Sequence, residues 1–237
     1  MKVRIKFAKS GVMKYVGHLD IMRYFQKAIR RSGLPIKYSE GFNPHQIMSF
    51  AAPLGVGITS EGEYLDIELK EEIPCKDILE RLQATMVEGM DIRKVSYLPE
   101  KAQNAMSSLA AASYFLTYKH PEQFVYSLDE LQKAKEAFYD NAKEISVIKK
   151  TKKGERELNL KPLIYDFDIT KTEDKISFYL YVSTGSTDNI KPEFVLSHFF
   201  ASMGHMVEDN GFFIHRIDMF TRDENGYVSL GDVGYEK

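Results

Sequence analysis

The chain has 237 residues, 43% hydrophobic and 28% charged, with a net charge of −2 and a single cysteine, Cys75. That length fits one or two domains at ~150 residues each, and the composition excludes a disordered or low-complexity chain. One thiol excludes an intrachain disulfide, a cysteine-rich zinc site and a self-contained iron–sulfur cluster; the longest nearly apolar stretch, Met48 to Ile58, contains Pro53 and falls short of the ~20 residues of a membrane helix.

Residues 2–8 alternate charged and apolar side chains with period two, which predicts a strand with one buried face ended by Gly11. No apolar run of a secretory leader stands there, and with the lone thiol this gives a reducing, cytoplasmic setting as the expectation. From His18 to Ser32, Leu19, Met22, Phe25 and Ile29 recur at helical steps, Arg30 and Arg31 suit the last turn, and Gly33 suits the C-cap. A short strand is expected at Leu34–Tyr38. The apolar segment ending near Ile58 and the alternating run Glu63–Leu69 predict a hairpin turning at Ser60-Glu61-Gly62. Pro74 and Asp77 open a second helix with Ile78, Leu79, Leu82 and Met86 on one stripe, and Ile92–Leu98 is a closing strand.

This order is the split β-α-β plan of ferredoxin-like domains, two helices on one face of an antiparallel sheet and the other face free for a ligand. Residues 99–112 read as a linker, and then the pattern restarts. A strand at Tyr114–Tyr118, a helix at Ser127–Ala142 with Ser127 and Glu130 at capping-box spacing, strands near 145–149, 155–160, 165–169 and 175–182, a helix at Pro192–Met203 and a strand at Phe212–Phe220 follow. The expectation is therefore an α+β chain of two ferredoxin-like (βαββαβ) halves: a domain over 1–98, the linker 99–112, a second domain over 113–220 with an inserted hairpin, and a frayed tail over 221–237.

Charge is distributed unevenly along these elements. Residues 1–50 hold ten Lys or Arg against Asp20 and Glu40, a local charge of +8, whereas 51–98 and 99–237 are each −5. A basic face on an otherwise acidic chain is the footprint of a polyanion such as RNA, although a solvated face paired with acids gives the same count. Lys14, His18, Arg23, Lys27, Arg30 and Arg31 lie at or near the first helix; Tyr38, Asn43 and His45 lie on the following loop, and Lys152 and Lys153 at a predicted hairpin tip. These are the candidate phosphate- or RNA-binding residues, the aromatics Tyr15, Tyr24, Tyr38, Phe42 and Phe50 being either stacking or core residues. The twenty residues Gly41–Ser60 contain no Asp, Glu, Lys or Arg, where composition predicts about five or six. His18 and His45 are the candidate acid and base if the chain cleaves RNA. Histidines and acids lack metal-ligand spacing, and phosphate-loop, dinucleotide and serine-hydrolase signatures are missing, so no cofactor or metal is expected.

Six ordered motifs carry a resemblance: Phe7-Ala-Lys-Ser-Gly, Lys14-Tyr-Val-Gly-His-Leu-Asp, Arg30-Arg31-Ser-Gly-Leu-Pro-Ile, Tyr38-Ser-Glu-Gly-Phe-Asn-Pro-His, Ser49-Phe-Ala-Ala-Pro-Leu-Gly-Val-Gly and Glu63-Tyr-Leu-Asp-Ile-Glu-Leu. Together they resemble the radical-SAM-linked domain family, a bacterial family of uncharacterised function. Leu158-Asn-Leu-Lys-Pro-Leu-Ile is similar to that family's Asp-x-Arg-Pro-Leu-Ile stretch, with Asn159 and Lys161 in place of the acid and the arginine. The resemblance implies a separately encoded, cobalamin-binding radical S-adenosylmethionine partner and a role in RNA- or ribosome-linked modification. With only Cys75, the chain cannot supply three thiolates to such a cluster, so that chemistry would belong to the partner. The leading expectation is a non-catalytic RNA- or substrate-binding accessory protein. Alternatives are a metal-independent endoribonuclease resembling CRISPR repeat-cleaving proteins, and a protein-binding scaffold without RNA affinity.

Overall fold

The period-two run at the start folds as β1 (Lys2–Lys9), and its odd-numbered side chains Val3, Ile5 and Phe7 enter the core. The computed structural model describes residues 1–120, 125–151, 154–172, 175–186, 188–208 and 210–237. In chain order the further elements are α1 (His18–Arg31), β2 (Met48–Phe50), β3 (Thr59–Glu68), α2 (Cys75–Gln83), β4 (Met90–Tyr97), α3 (Ala105–Ser108), β5 (Leu109–Tyr118), α4 (Leu128–Lys135), β6 (Ser146–Thr151), β7 (Gly154–Asn159), β8 (Ile164–Thr172), β9 (Lys175–Ser183), α5 (Pro192–Ser202), β10 (Phe212–Asp223) and β11 (Gly226–Ser229). This is an α+β chain, and β1–β3, β1–β4, β2–β3, β6–β7, β8–β9 and β10–β11 all pair antiparallel.

Two compact units share the chain: Met1–Ala111 with Arg216–Lys237, and Ala112–His215. These boundaries differ from the expected ones. The segment 99–111 belongs to the first unit, as do the last twenty-two residues, Arg216–Lys237.

In the first unit β1 lies between β4 and β3, and the other edge of β3 takes β2 along Leu65–Ile67 and also β10. α1 buries Ile21, Phe25, Ala28 and Ile29 against the sheet, and α2 buries Ile78 and Leu82. Leu19, expected on that stripe, is 67% exposed, and Ile21 takes its place. The expected strand at Leu34–Tyr38 is reduced to two isolated bridges, Ile36 to Leu69 and Tyr38 to Gln46.

The predicted hairpin turn is not a turn. Ser60, Glu61 and Gly62 lie inside β3, because Gly62 is where β10 approaches. A Cβ there would stand 2.5 Å from Asp218 Oδ1 and 2.8 Å from the Ile217 carbonyl, so glycine serves a close approach and not a bend.

The second sheet face of this unit, expected to be free, is closed by polar contacts. Arg4 donates from Nε and Nη2 to the two Asp66 oxygens (2.8 and 2.9 Å), from Nη1 to the Leu230 carbonyl and from Nη2 to the Gln103 carbonyl. Asp66 also accepts from the Ala105 backbone at 2.7 Å. Beside it Lys6 donates to Asp218, and the Tyr64 hydroxyl lies between Asp218 and Ser229. Burial and the Asp218 carboxylate push the Tyr64 hydroxyl far above the usual phenol range. The expected frayed tail therefore packs. Past β11, Tyr235 exchanges two backbone hydrogen bonds with Tyr97, and the Lys237 carbonyl accepts from Cys75.

In the second unit β9 lies between β5 and β8, with β10 on the other side of β5. α5 starts with Pro192 at its first position and packs Phe199 and Phe200 into a ring cluster with Phe138, Phe167, Phe178 and Phe212. The capping box of Ser127 and Glu130 forms as read from the sequence. Its helix is shorter than expected, α4 passing at Lys135 into a wider π-helical turn over Glu136–Asp140. β6 and β7 form the expected inserted hairpin, and Lys152 and Lys153 lie outside the described residues.

Candidate functional site

The ten cations of the first fifty residues separate once the chain folds. Arg4 and Lys9 are buried, Lys6 is held by Asp218, and Lys37 pairs with Glu68 at 3.3 Å. Lys2 is exposed at the start of β1, and the one solvent-facing row of cations among the ten is the polar side of α1. Arg23, Lys27 and Arg30 stand there at spacings of four and three, all exposed. Arg23 pairs with Asp20 at 3.2 Å, but both side chains are more than 60% exposed, so the pair is screened and readily exchanged for another anion. Arg31 turns aside to donate to the Thr85 carbonyl. Arg81 of α2 closes the same end of α1 by donating to the carbonyls of Ser32 and Gly33, where a cation suits the helix dipole.

A loop follows on this side of the unit. Its neck is the bridge between Tyr38 and Gln46, with the Ile47 amide donating to the Lys37 carbonyl. Within it Ser39 and His45 are fastened three times: the Ser39 amide donates to the His45 carbonyl, the His45 amide donates to Ser39 Oγ, and that oxygen lies 2.9 Å from His45 Nδ1. The Asn43 carbonyl is 3.4 Å from the same ring nitrogen. Gly41 takes a φ of +110°, in the region glycine favours, and Glu40 through His45 are all exposed. Phe42 at the tip is fully exposed, Tyr38 is 37% exposed, and Phe50 is buried. Gln46 Nε2 donates to the Gln26 carbonyl at 3.2 Å, which ties the base of the loop to the middle of α1 between Arg23 and Arg30.

His18 sits elsewhere. It is the first residue of α1, half-buried, with its ring edge-on to Phe50 at 5.5 Å, and Gly17 caps the helix without a side-chain bond. Here it borders a small open recess lined also by Phe7, Lys9, Ile21, Phe50, Leu54 and Glu63. Among the described residues His45 does not line this recess; its ring partners are Ser39 and Asn43. Lys14, at the preceding 3-10 turn, lies over the Tyr15 ring at 5.1 Å, and its carbonyl accepts from Gly57.

Two of the residues lining the recess, Lys9 and Glu63, are buried charges that composition and motif spacing do not single out. Lys9 donates to the Val16 carbonyl at 2.7 Å, and Arg216 Nη1 lies 3.2 Å from both Glu63 oxygens. Burial raises the Glu63 carboxyl, against the pull of Arg216, and burial likewise lowers Lys9. His18 is lowered by burial and by Lys9, so it is neutral at pH 7 and presents one donor and one acceptor nitrogen. The signal was present in the alternation. Lys9 continues the inward series Val3, Ile5, Phe7, and Glu63 begins the inward series Glu63, Leu65, Ile67, so each puts a charge where an apolar residue is due.

Of the remaining candidates, Asn159 Oδ1 accepts from the Ile145 and Lys161 backbones, and Lys161 Nζ donates to the Tyr139 carbonyl; both hold local structure. Among the described residues no group of three His, Cys, Asp or Glu side chains is arranged to hold a metal ion, and no helix is long and apolar enough to cross a membrane.

No curated protein matches the chain. In the crystal structure of a Cbf5-Nop10-Gar1 complex, one chain aligns with 94% of this chain at 13% identity and a TM-score of 0.50. This chain spans 50% of that one, and the likeness is one of fold. A crystal structure of an unknown protein from Galdieria sulphuraria aligns over 96% of this chain and 98% of its own at 10% identity, with a TM-score of 0.24. Residues 2–192 match the model described as an uncharacterized protein conserved in bacteria (DUF2344). That match covers most of the length, and the chain belongs to this family.

Proposed function

We propose that this protein is a non-catalytic RNA-binding accessory module, and that the polar side of α1 and the Ser39–His45 loop form its RNA surface. The observation that carries the reading is the hydrogen bond from Gln46 to the Gln26 carbonyl. It holds a loop with an exposed aromatic tip against the helix that carries Arg23, Lys27 and Arg30, combining the phosphate-contacting and base-contacting chemistries of a nucleic-acid site. The strand orders support two ferredoxin-like halves as its scaffold: β4-β1-β3-β2 in the first unit, and β10-β5-β9-β8 in the second with β6–β7 inserted. A separately encoded radical S-adenosylmethionine enzyme in the cytoplasm is the partner that the motifs between Lys6 and Leu69 suggest, the chain's one cysteine leaving cluster ligation to it.

The test is the salt dependence of binding to a mixed-sequence single-stranded RNA. Replacing Arg23, Lys27 and Arg30 together with alanine is expected to lower the slope of log K against log salt by about 2, at ~0.7 for each phosphate that is no longer neutralised. An unchanged slope, or no binding at low salt by the unaltered protein, refutes the reading.

A further inference from the structure

We infer that Phe42 is a base-stacking residue and that the RNA surface therefore selects unpaired strands over duplex. This rests on the reading of α1 and the loop as an RNA surface and adds to it the class of RNA taken.

The Phe42 ring is exposed on all sides, at the tip of a loop whose neighbours Glu40, Gly41, Asn43 and Pro44 are also exposed. An aromatic side chain left in water gives up the stabilisation that burial provides elsewhere in this molecule, where Phe25, Phe167, Phe178 and Phe199 are all fully buried. Nor is the exposure a consequence of a slack loop. Three hydrogen bonds between Ser39 and His45 close it, Tyr38 and Gln46 pair at its neck, and Gln46 fixes it to α1. The loop that carries the ring is thus held at its base, which reduces the backbone ordering left to do on binding and favours affinity.

Charge decides what kind of partner the ring meets. Arg23, Lys27 and Arg30 are exposed on α1, against Asp20 on the same helix and Glu40 on the loop, while Lys37 at the loop's neck is offset by Glu68. That balance favours a polyanion bearing flat faces. A duplex offers its phosphates and 2′-hydroxyls but keeps its base faces stacked inside, so a projecting phenyl ring finds no partner on it. An unpaired strand offers both phosphate and open base faces, and stacking on them is tolerant of sequence.

The experiment compares full-length protein and its Phe42 variants in binding a short fluorescein-labelled mixed-sequence RNA, the same strand annealed to its complement, and the same strand with abasic sites. Phe42→Ala is expected to weaken single-strand binding about tenfold, within the range of one base–aromatic stack, and to leave the salt slope unchanged. Phe42→Trp is expected to retain wild-type affinity, whereas Phe42→Leu, which keeps an apolar tip without a ring, behaves as alanine. Abasic RNA is expected to bind the unaltered protein as weakly as intact RNA binds Phe42→Ala. Single-strand affinity within twofold of wild type for Phe42→Ala, or equal affinity for duplex and single strand, overturns the inference; the RNA surface itself stands if the Arg23/Lys27/Arg30 variant still loses its slope. If Phe42→Ala leaves RNA binding intact but weakens a measured complex with a radical S-adenosylmethionine protein, the ring is a protein contact and the inference is overturned. Failure of any RNA to bind overturns both readings.

Discussion

Replacing Asp66 with asparagine leaves Arg4 buried without its counter-charge. The carboxylate accepts from Arg4 at 2.8 and 2.9 Å and from the Ala105 amide at 2.7 Å, with side-chain exposures of 2% for Arg4 and 8% for Asp66. Asparagine keeps an acceptor for Ala105 but turns an amide N–H₂ towards a guanidinium that can only donate. Breaking a buried pair in this way costs about 3–5 kcal/mol, well beyond the ~1 kcal/mol of an exposed pair. In urea, at a slope of about 2 kcal/mol per M, the unfolding midpoint of the first unit falls by about 2 M. The companion variant Arg4→Met/Asp66→Asn removes the stranded cation and is expected to be more stable than Asp66→Asn alone. A loss below about 1 kcal/mol for the single change, or no recovery in the double, refutes the account of that sheet face as closed by a paired buried charge.

His18 gives a pH test. Its pKa is lowered by burial and by Lys9, so between the folded value and 6.5 the unfolded chain binds more protons, and stability is lost as pH falls through that window. The His18→Gln variant is expected to show a flatter dependence of the urea midpoint below pH 6.5, and NMR titration is expected to place His18 below 6.5; a value above it refutes the packing described for this ring. Gly62→Ala drives a methyl group onto the β10 backbone at Ile217 and Asp218 and is expected to cost about 1–3 kcal/mol, the usual penalty of overpacking. A midpoint unchanged by that substitution would show that β3 and β10 can separate there.

Local periodicity found most of the fold. The alternation of residues 2–8, the helical steps after His18, the Ser127–Glu130 box and Pro192 at a helix start each name their element, because the physics involved acts over a few residues. The Ser60–Gly62 region misleads because glycine signals both a bend and a close approach, and the strand that approaches Gly62 lies some 155 residues later. The basic row of α1 was legible from spacing alone. The burial of Arg4 was not, since a count of cations does not record that Asp66 waits opposite it. Lys9 and Glu63 disturb the inward series of their strands, which is a readable sign, but Arg216 stands 153 residues from Glu63, beyond any local pattern.

The first unit is written in two pieces, Met1–Ala111 and Arg216–Lys237, with the whole of Ala112–His215 between them. During synthesis at ~5–20 residues per second, the ribosome takes about 5–20 s to pass from Ala111 to Arg216. Throughout that interval the nascent first unit has no Arg216 beside Glu63, no Asp218 beside Lys6, and no β10 along β3. The second unit, contiguous in sequence, meets its own strands as they emerge. Residues 216–237 thus complete a unit begun more than a hundred residues earlier, and the interval leaves open the part of the β3 edge near Gly62 that β10 later takes, where strand-on-strand association with another nascent chain is favourable.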